Sequence, residues 1–420
     1  MFRSFCLACA IAGSMIVLFP RPATAGNTYN IVYAFTGGTD GDQPMSIVAD
    51  NAGNIYGVTY TGGSSANCIG NCGTIFKIAP DGTKSTLYSF VGAPTDAARP
   101  VALAMDRHGN LYGVGGDGGA YNYGSVFKLT ANGSEALLYS FDPNKIANGI
   151  YPSGLAVGKD GNLYGMTQYG GDVACSNGCG TVFRMVPKTG KLTVLHAFLG
   201  PSGNDGWQPT GGLTVGPDGM LYGTTIAGGS GANGTVFKMD PVSGAETVLH
   251  AFTRTKNDGG YPEAPPVFDS NGNLYGGTMQ SAGTDCLGLG CGMLYKIAPD
   301  GTYTILYDFG GGGGHVGPYF GVSGTLYLDR RGDVFGITIQ GGDYLTCNPP
   351  AGCGSVFELT AAGRIKTVYT FQGTASADGY FPQWGLIHNP SLGKDALYGV
   401  TAFGPDCDMG CGSVFKVTTK

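Results

Sequence analysis

The sequence predicts an all-β fold: a seven-bladed β-propeller with four antiparallel strands per blade, closed by its N-terminal strand. Three observations predict it. An aromatic–glycine step recurs at Tyr56-Gly57, Tyr112-Gly113, Tyr164-Gly165, Tyr222-Gly223, Tyr275-Gly276, Phe335-Gly336 and Tyr398-Gly399. A Gly-led strand, Gly-Thr-Ile-Phe-Lys in its first copy, starts at Gly73, Gly124, Gly180, Gly234, Gly292, Gly354 and Gly412. A period of roughly 50 to 60 residues with several short strands per unit marks a propeller. The third observation is a displaced strand. A fourth strand of the Leu-Tyr-Ser-Phe kind occurs inside the repeats at residues 87–90, 138–141, 195–198, 249–252, 306–309 and 368–371. Its seventh copy, residues 31–35, precedes the first repeat, and the last repeat ends at 412–417 without one. Pairing these two completes the last blade and leaves no open sheet edge.

At the N-terminus, Arg3 precedes an apolar run ending at Phe19, followed by Ala23-Thr24-Ala25. This pattern reads as a secretory signal cut after Ala25, and the run is short for a membrane span. Residues 1–25 are therefore expected to be a signal peptide and 26–420 one propeller domain, secreted to the periplasm or the cell exterior. No later segment suggests membrane insertion. The 77 Gly, 24 Tyr and 21 Phe suit many tight turns between short aromatic strands. Net charge is −6, and losing Arg3 and Arg21 makes it more negative still. That excludes a basic footprint for nucleic acid. A closed ring is expected to be a monomer.

The third unit shows how one blade reads. Residues 152–157 form a short strand opened by Pro152, a position a strand tolerates. A turn at 159–162 leads to a second strand at 163–167. A Gly-rich loop leads to 181–185, and a turn at 188–190 leads to 192–198. Hairpin connections then place the loop between strands two and three on the same face as the blade-to-blade linkers.

That loop carries the cysteines. Cys6 and Cys9 leave with the signal, and ten others form close pairs: Cys68/Cys72, Cys175/Cys179, Cys286/Cys291, Cys347/Cys353 and Cys407/Cys411. In an exported chain such local spacing reads as disulfides, each worth about 2 kcal/mol in the chain-entropy model. Zinc would need four thiolates from two blades, and the spacing is not that of a redox pair.

The linkers repeat Asp-Gly-x-x-Pro, with Asp40, Asp205, Asp258 and Asp378 leading and Asp96 and Asn148 in variants. Two readings are open. The carboxylates could ring the channel mouth and bind a cation or sugar hydroxyls, or they could cap turns by accepting backbone N–H bonds. Linker aromatics Tyr151, Trp207, Tyr261, Tyr380 and Phe381 could stack on sugar faces or wedge between blades. The turn at Asp269, Asn271 and Asn273 has oxygen spacing reminiscent of a calcium loop but no distal Glu. No cofactor is implied beyond that calcium alternative, and no metal site is read. His196 and His250 replace the fourth-strand Tyr and read as packing substitutions. His315 and Glu263 break the repeat in neighbouring blades and form the best acid–base pair available. No nucleophile elbow, phosphate loop or metalloprotease motif is present.

The phrases Gly-Thr-Val-Phe-Lys, Leu-Tyr-Ser-Phe, Asp-Gly-x-x-Pro and Gly-Asn-Leu-Tyr-Gly together resemble the GloVer tandem-repeat family of bacterial exported proteins. The resemblance spans nearly the whole mature chain and implies an extracellular protein, without implying catalytic residues. The Asp-Gly-Asn turn with its following aromatic is also similar to streptogramin lyase propellers, with Tyr where that repeat carries Trp. The function expected is recognition of a glycan or other extracellular polymer on the linker and disulfide-loop face. A lyase or hydrolase using His315 and Glu263 is the alternative, and a purely structural repeat protein is the second.

Overall fold

The computed structural model describes residues 27–419 apart from 172–174, 201–203, 256, 283–289, 311–320, 343–351, 374–377 and 405–410. The expected signal segment, His315, Cys286, Cys347 and Cys407 lie outside the described residues. Regular structure is almost wholly strand, arranged in four-stranded antiparallel sheets. In the third unit Ile150–Val157, Leu163–Tyr169, Thr181–Val186 and Lys191–Ala197 pair in chain order. Pro152 sits inside the first strand rather than opening it, because pairing begins two residues earlier with Ile150 opposite Tyr169. A proline is tolerated there because this strand is the edge of its sheet.

One eight-stranded sheet joins two such sets at a single parallel bridge, Thr325 opposite Gly385. Its second set contains Tyr380–His388, Ala396–Phe403 and Ser413–Thr418, with Thr28–Ala34 as fourth member. Ile31 lies opposite Phe415 and Ala34 opposite Ser413. The N-terminal strand therefore pairs where the count of fourth strands requires.

The two repeated phrases prove to be halves of one packing device. Second and third strands pair so that the glycine of each aromatic–glycine step faces the ring of the Gly-led strand. Gly57 faces Phe76, Gly113 Phe127, Gly165 Phe183, Gly223 Phe237, Gly276 Tyr295, Gly336 Phe357 and Gly399 Phe415, and a Cβ at any of them would strike the ring. Each of those rings then receives the edge of a phenylalanine from the preceding unit. Phe35 meets Phe76 with centroids 5.1 Å apart, Phe90 meets Phe127 at 4.8 Å, and Phe371 meets Phe415 at 5.2 Å. The other four junctions repeat the contact. Six of these phenylalanines are fully buried and Phe309 is partly buried, so the core is a chain of small clusters, one between each pair of units.

Disulfides Cys68–Cys72 and Cys175–Cys179 are formed. Cys291, Cys353 and Cys411 are disulfide-bonded as well.

Two substitutions test this packing. A Cβ on Gly223 would lie 2.6 Å from Phe237 Cζ, so Gly223→Ala should cost about 1–3 kcal/mol, the usual penalty for overpacking. Phe35→Ala should cost about 3–5 kcal/mol, as for any buried phenylalanine. Urea midpoints measure both, and a Phe35→Ala loss below ~1 kcal/mol would show the N-terminal strand to be dispensable for packing.

Candidate functional site

The linkers that carry the repeated aspartate do two jobs. Their aspartates accept hydrogen bonds from the chain just ahead of them and from the aromatic or imidazole of the preceding fourth strand. Asp40 takes Tyr33 Oη at 2.8 Å and Thr36 N–H at 3.0 Å. Asp96 takes Tyr88 Oη at 3.0 Å and Val91 N–H at 2.7 Å. Asp205 faces His196 Nε2 at 3.0 Å and accepts Leu199 N–H at 2.9 Å. Asp258 faces His250 Nε2 at 3.0 Å and accepts Thr253 N–H at 2.8 Å. Asp378 takes Tyr369 Oη at 2.6 Å and Gln372 N–H at 3.0 Å. These carboxylates line no part of the axial cavity described below. His196 and His250 are more than packing substitutions, since each presents Nε2 where tyrosine presents its hydroxyl.

The second job falls to the residue before each linker proline. Gln43, Arg99, Tyr151, Gln208, Tyr261 and Phe381 all adopt φ between 49° and 58°, uncommon for residues with a Cβ. Each turns its N–H onto a carbonyl of the preceding loop: Gln43 to Cys411, Arg99 to Cys72, Tyr151 to Tyr123, Gln208 to Cys179, Tyr261 to Asn233 and Phe381 to Cys353. Second cysteines of the disulfide loops thus act as docking points for the next unit. Because the backbone makes this latch, the side chains at these positions are free to vary.

The first strands of the units surround an axial cavity of about 820 Å³. Its wall on the linker face is polar and aromatic. Arg99 Nη1 lies 2.7 Å from Asp117 Oδ2, and its guanidinium carbon lies 5.7 Å from the Tyr60 ring centroid. Tyr151 stands beside them, 5.5 Å from Tyr123 and 6.1 Å from Tyr169 between centroids. Gln208 Nε2 donates to Tyr169 Oη at 3.1 Å. Trp384 also lines the cavity and is 39% exposed, with φ 67°. Glu263 also lines the cavity and has no hydrogen-bond or salt-bridge partner among the described residues. Burial pushes its carboxyl above the usual carboxylate range.

Among the described candidate site residues, Glu263 and Tyr151 line the cavity and the others lie elsewhere. Trp207 packs against the cluster holding Cys179 and beside Cys175, and its indole N–H is buried without a partner. Tyr380 stacks on Phe403 at 4.9 Å, and Tyr261 is half-buried at its linker. Glu263 cannot be placed against His315, which is not described. Asp269 accepts Asn271 N–H, Asn273 N–H, Asn273 Nδ2 and Tyr275 Oη within 3.1 Å, so the turn is held by its own donors. Sequence reasoning missed Arg99, Asp117, Tyr60 and Trp384. One signal was there: Arg99 is the lone cation among the pre-proline residues.

The architecture is that of a β-propeller with an axial cavity. The chain belongs to the Gloeobacter/Verrucomicrobia repeat family, whose model matches residues 18–216 and 208–420. Its fold is similar to a catalytically inactive variant of virginiamycin B lyase from Staphylococcus aureus, determined with quinupristin. That likeness has 14% identity and a TM-score of 0.58, and covers 94% of this chain and 100% of that one. It is also similar to an extracellular domain assigned to a hybrid two component system of B. thetaiotaomicron. There the identity is 12% and the TM-score 0.55, over 90% of this chain and 40% of the other. At such identities the likeness is one of fold. Comparison with curated protein sequences finds no match. Among the described residues no helix is long and apolar enough to cross a membrane.

One junction yields a pH prediction. Glu135 opens the fourth strand beside Tyr88 and Asp96, and its Oε1 is buried without a hydrogen bond. Burial, then the charge of Asp96, pushes its carboxyl from 4.5 up to about 7. A group with a raised folded pKa contributes stability below its unfolded pKa and loses it as pH rises through the folded value. Glu135→Gln should therefore raise the urea midpoint at pH 8.5, with the gain vanishing near pH 4. A gain of the same size at both pH values would refute this assignment.

Proposed function

We propose that this chain is an exported, monomeric binding module whose seven blades close into one ring through Thr28–Ala34. Its ligand is a glycan or another extracellular polymer, held at the cavity mouth on the linker and disulfide-loop face. The observation that carries this reading is the wall formed by Tyr60, Arg99, Asp117 and Tyr151, where flat rings alternate with a paired cation and carboxylate. Rings suit the apolar faces of sugars, and fixed polar groups suit their hydroxyls. Trp207, Tyr261 and Tyr380, with Asp40, Asp205, Asp258 and Asp378, would form the outer rim of the same face. Disulfides fit an oxidising compartment, and the acidic chain offers no footprint for nucleic acid.

A glycan array screened with the mature chain tests the reading. Tyr60→Ala and Tyr151→Ala should each weaken any hit by about fivefold or more, the loss expected of a contact worth over 1 kcal/mol. An array without hits, or hits untouched in both folded variants, removes its support.

The second reading is a lyase or hydrolase acting on an extracellular polymer. It is favoured by Glu263, a desolvated and unpartnered carboxyl in the cavity. In the lyase form His315 would take the proton beside a uronate carboxylate, and the protonated Glu263 carboxyl would donate a hydrogen bond to the enolate-like oxygen. The glycosidic C–O bond would break with its oxygen taking a proton from solvent. Polyuronate turnover abolished by both His315→Ala and Glu263→Gln is the expected result. Turnover that survives either change in full would sink the mechanism.

A further inference from the structure

The junction between the third and fourth units brings three donor groups together that no recognised motif links. His196 is next to last in the fourth strand of one unit, Asp205 leads the linker, and Glu246 opens the fourth strand of the next unit. One ligand atom from each lies within 4.8 Å of the others. His196 Nε2 and Asp205 Oδ2 are 3.0 Å apart, close to the ligand–ligand spacing around a small tetrahedral ion. Glu246 Oε1 is buried and has no hydrogen-bond partner.

Sister junctions show what this seat is built for. Four residues before the fourth-strand aromatic or imidazole, the following unit places Lys84, Glu135, Glu246, Tyr303 or Tyr29 against the linker aspartate or its partner ring. Lys84 Nζ sits 2.7 Å from Asp40 Oδ1 with only 5% of its side chain exposed, so the same construction elsewhere holds a cation. Tyr303 stacks flat on His250 at 3.9 Å, and Tyr29 on Tyr369 at 3.9 Å. At Glu246 the seat instead offers a second carboxylate to the first, beside an imidazole.

We propose that His196, Asp205 and Glu246 bind a divalent transition-metal ion, such as zinc, that bridges the third and fourth units. One nitrogen and two carboxylate oxygens make a known zinc donor set, with a fourth position left for water. His196 is 21% exposed along its side chain, which gives the ion and that water a route from solvent. The ion replaces the proton shared by His196 and Asp205 and satisfies Glu246 Oε1. Its role is to lock two units at a junction where no lysine or stacked ring does so. This inference is independent of the ligand reading above, because the junction lies outside the cavity lining.

The test is zinc titration of the untagged mature chain by calorimetry, with the melting temperature followed alongside. A chain that binds one zinc ion and melts higher with zinc is expected. His196→Gln and Glu246→Gln should each weaken binding by at least about tenfold, the loss seen even for groups that merely orient a ligand. Glu135→Gln is the control. Its junction has the same two carboxylates with Tyr88 in place of the imidazole, so zinc binding should be unchanged. Failure of the wild-type chain to bind zinc overturns the proposal. So does wild-type affinity in both Gln variants with native circular dichroism, or loss of binding in Glu135→Gln.

Discussion

The structure depends on a ring lying over a glycine. Each second strand gives up a side chain so that a phenylalanine or tyrosine of the third can lie against its backbone. That ring is then met edge-on by a phenylalanine from the preceding unit. Such edge contacts contribute about 0.5–1.5 kcal/mol each beyond the area they bury. The first of them needs Phe35, which arrives from the N-terminus, and Phe76 would otherwise lack its neighbour. Because each cluster joins two units and not one, no unit can bury its core alone. Stability is therefore a property of the array.

On the linker face the same logic is carried by backbone. Holding six side-chain-bearing residues at positive φ costs free energy at each. The N–H directed onto the neighbouring carbonyl offsets that cost, and the disulfides that follow Cys68 and Cys175 hold two of the accepting carbonyls in place. This division leaves the pre-proline side chains without a structural duty in common. They are accordingly Gln, Arg, Tyr, Gln, Tyr and Phe, on the face where a ligand would arrive.

How much of this was legible in the sequence follows from the same division. Strand order, the displaced fourth strand and the disulfide pairs repeat locally, so spacing exposes them. The glycine of Tyr-Gly could be noticed but not explained, since its reason is a ring some 15 to 20 residues further along the chain. Aspartate in the linkers could be read as ligand or as cap, and the backbone N–H groups of Thr36, Val91 and Gln372 supply the cap. Arg99 with Asp117 and Tyr60, or His196 with Glu246, depend on which strands become neighbours. Repeat spacing says that two units touch, but not which of their side chains do.

The sharpest departure from the repeat lies along the cavity wall of the fourth and fifth units. Their first strands shrink to Leu213–Val215 and Val267–Phe268, where the second unit has Ala97–Met105. Thr210 and Glu263 sit on the irregular backbone ahead of these short strands, and Thr210 Oγ1 is buried without a partner. Unpartnered polar groups and a desolvated carboxyl work against stability, and nothing in the packing of the neighbouring clusters requires them. A chain that repeats one packing solution so faithfully elsewhere would be expected to repeat it here. Local conflict with an otherwise consistent pattern is where function is expected to reside. On that argument the stretch of cavity wall carrying Thr210 and Glu263, which shares the cavity with Arg99 and Asp117, is where the proposed binding role departs most from the repeated packing.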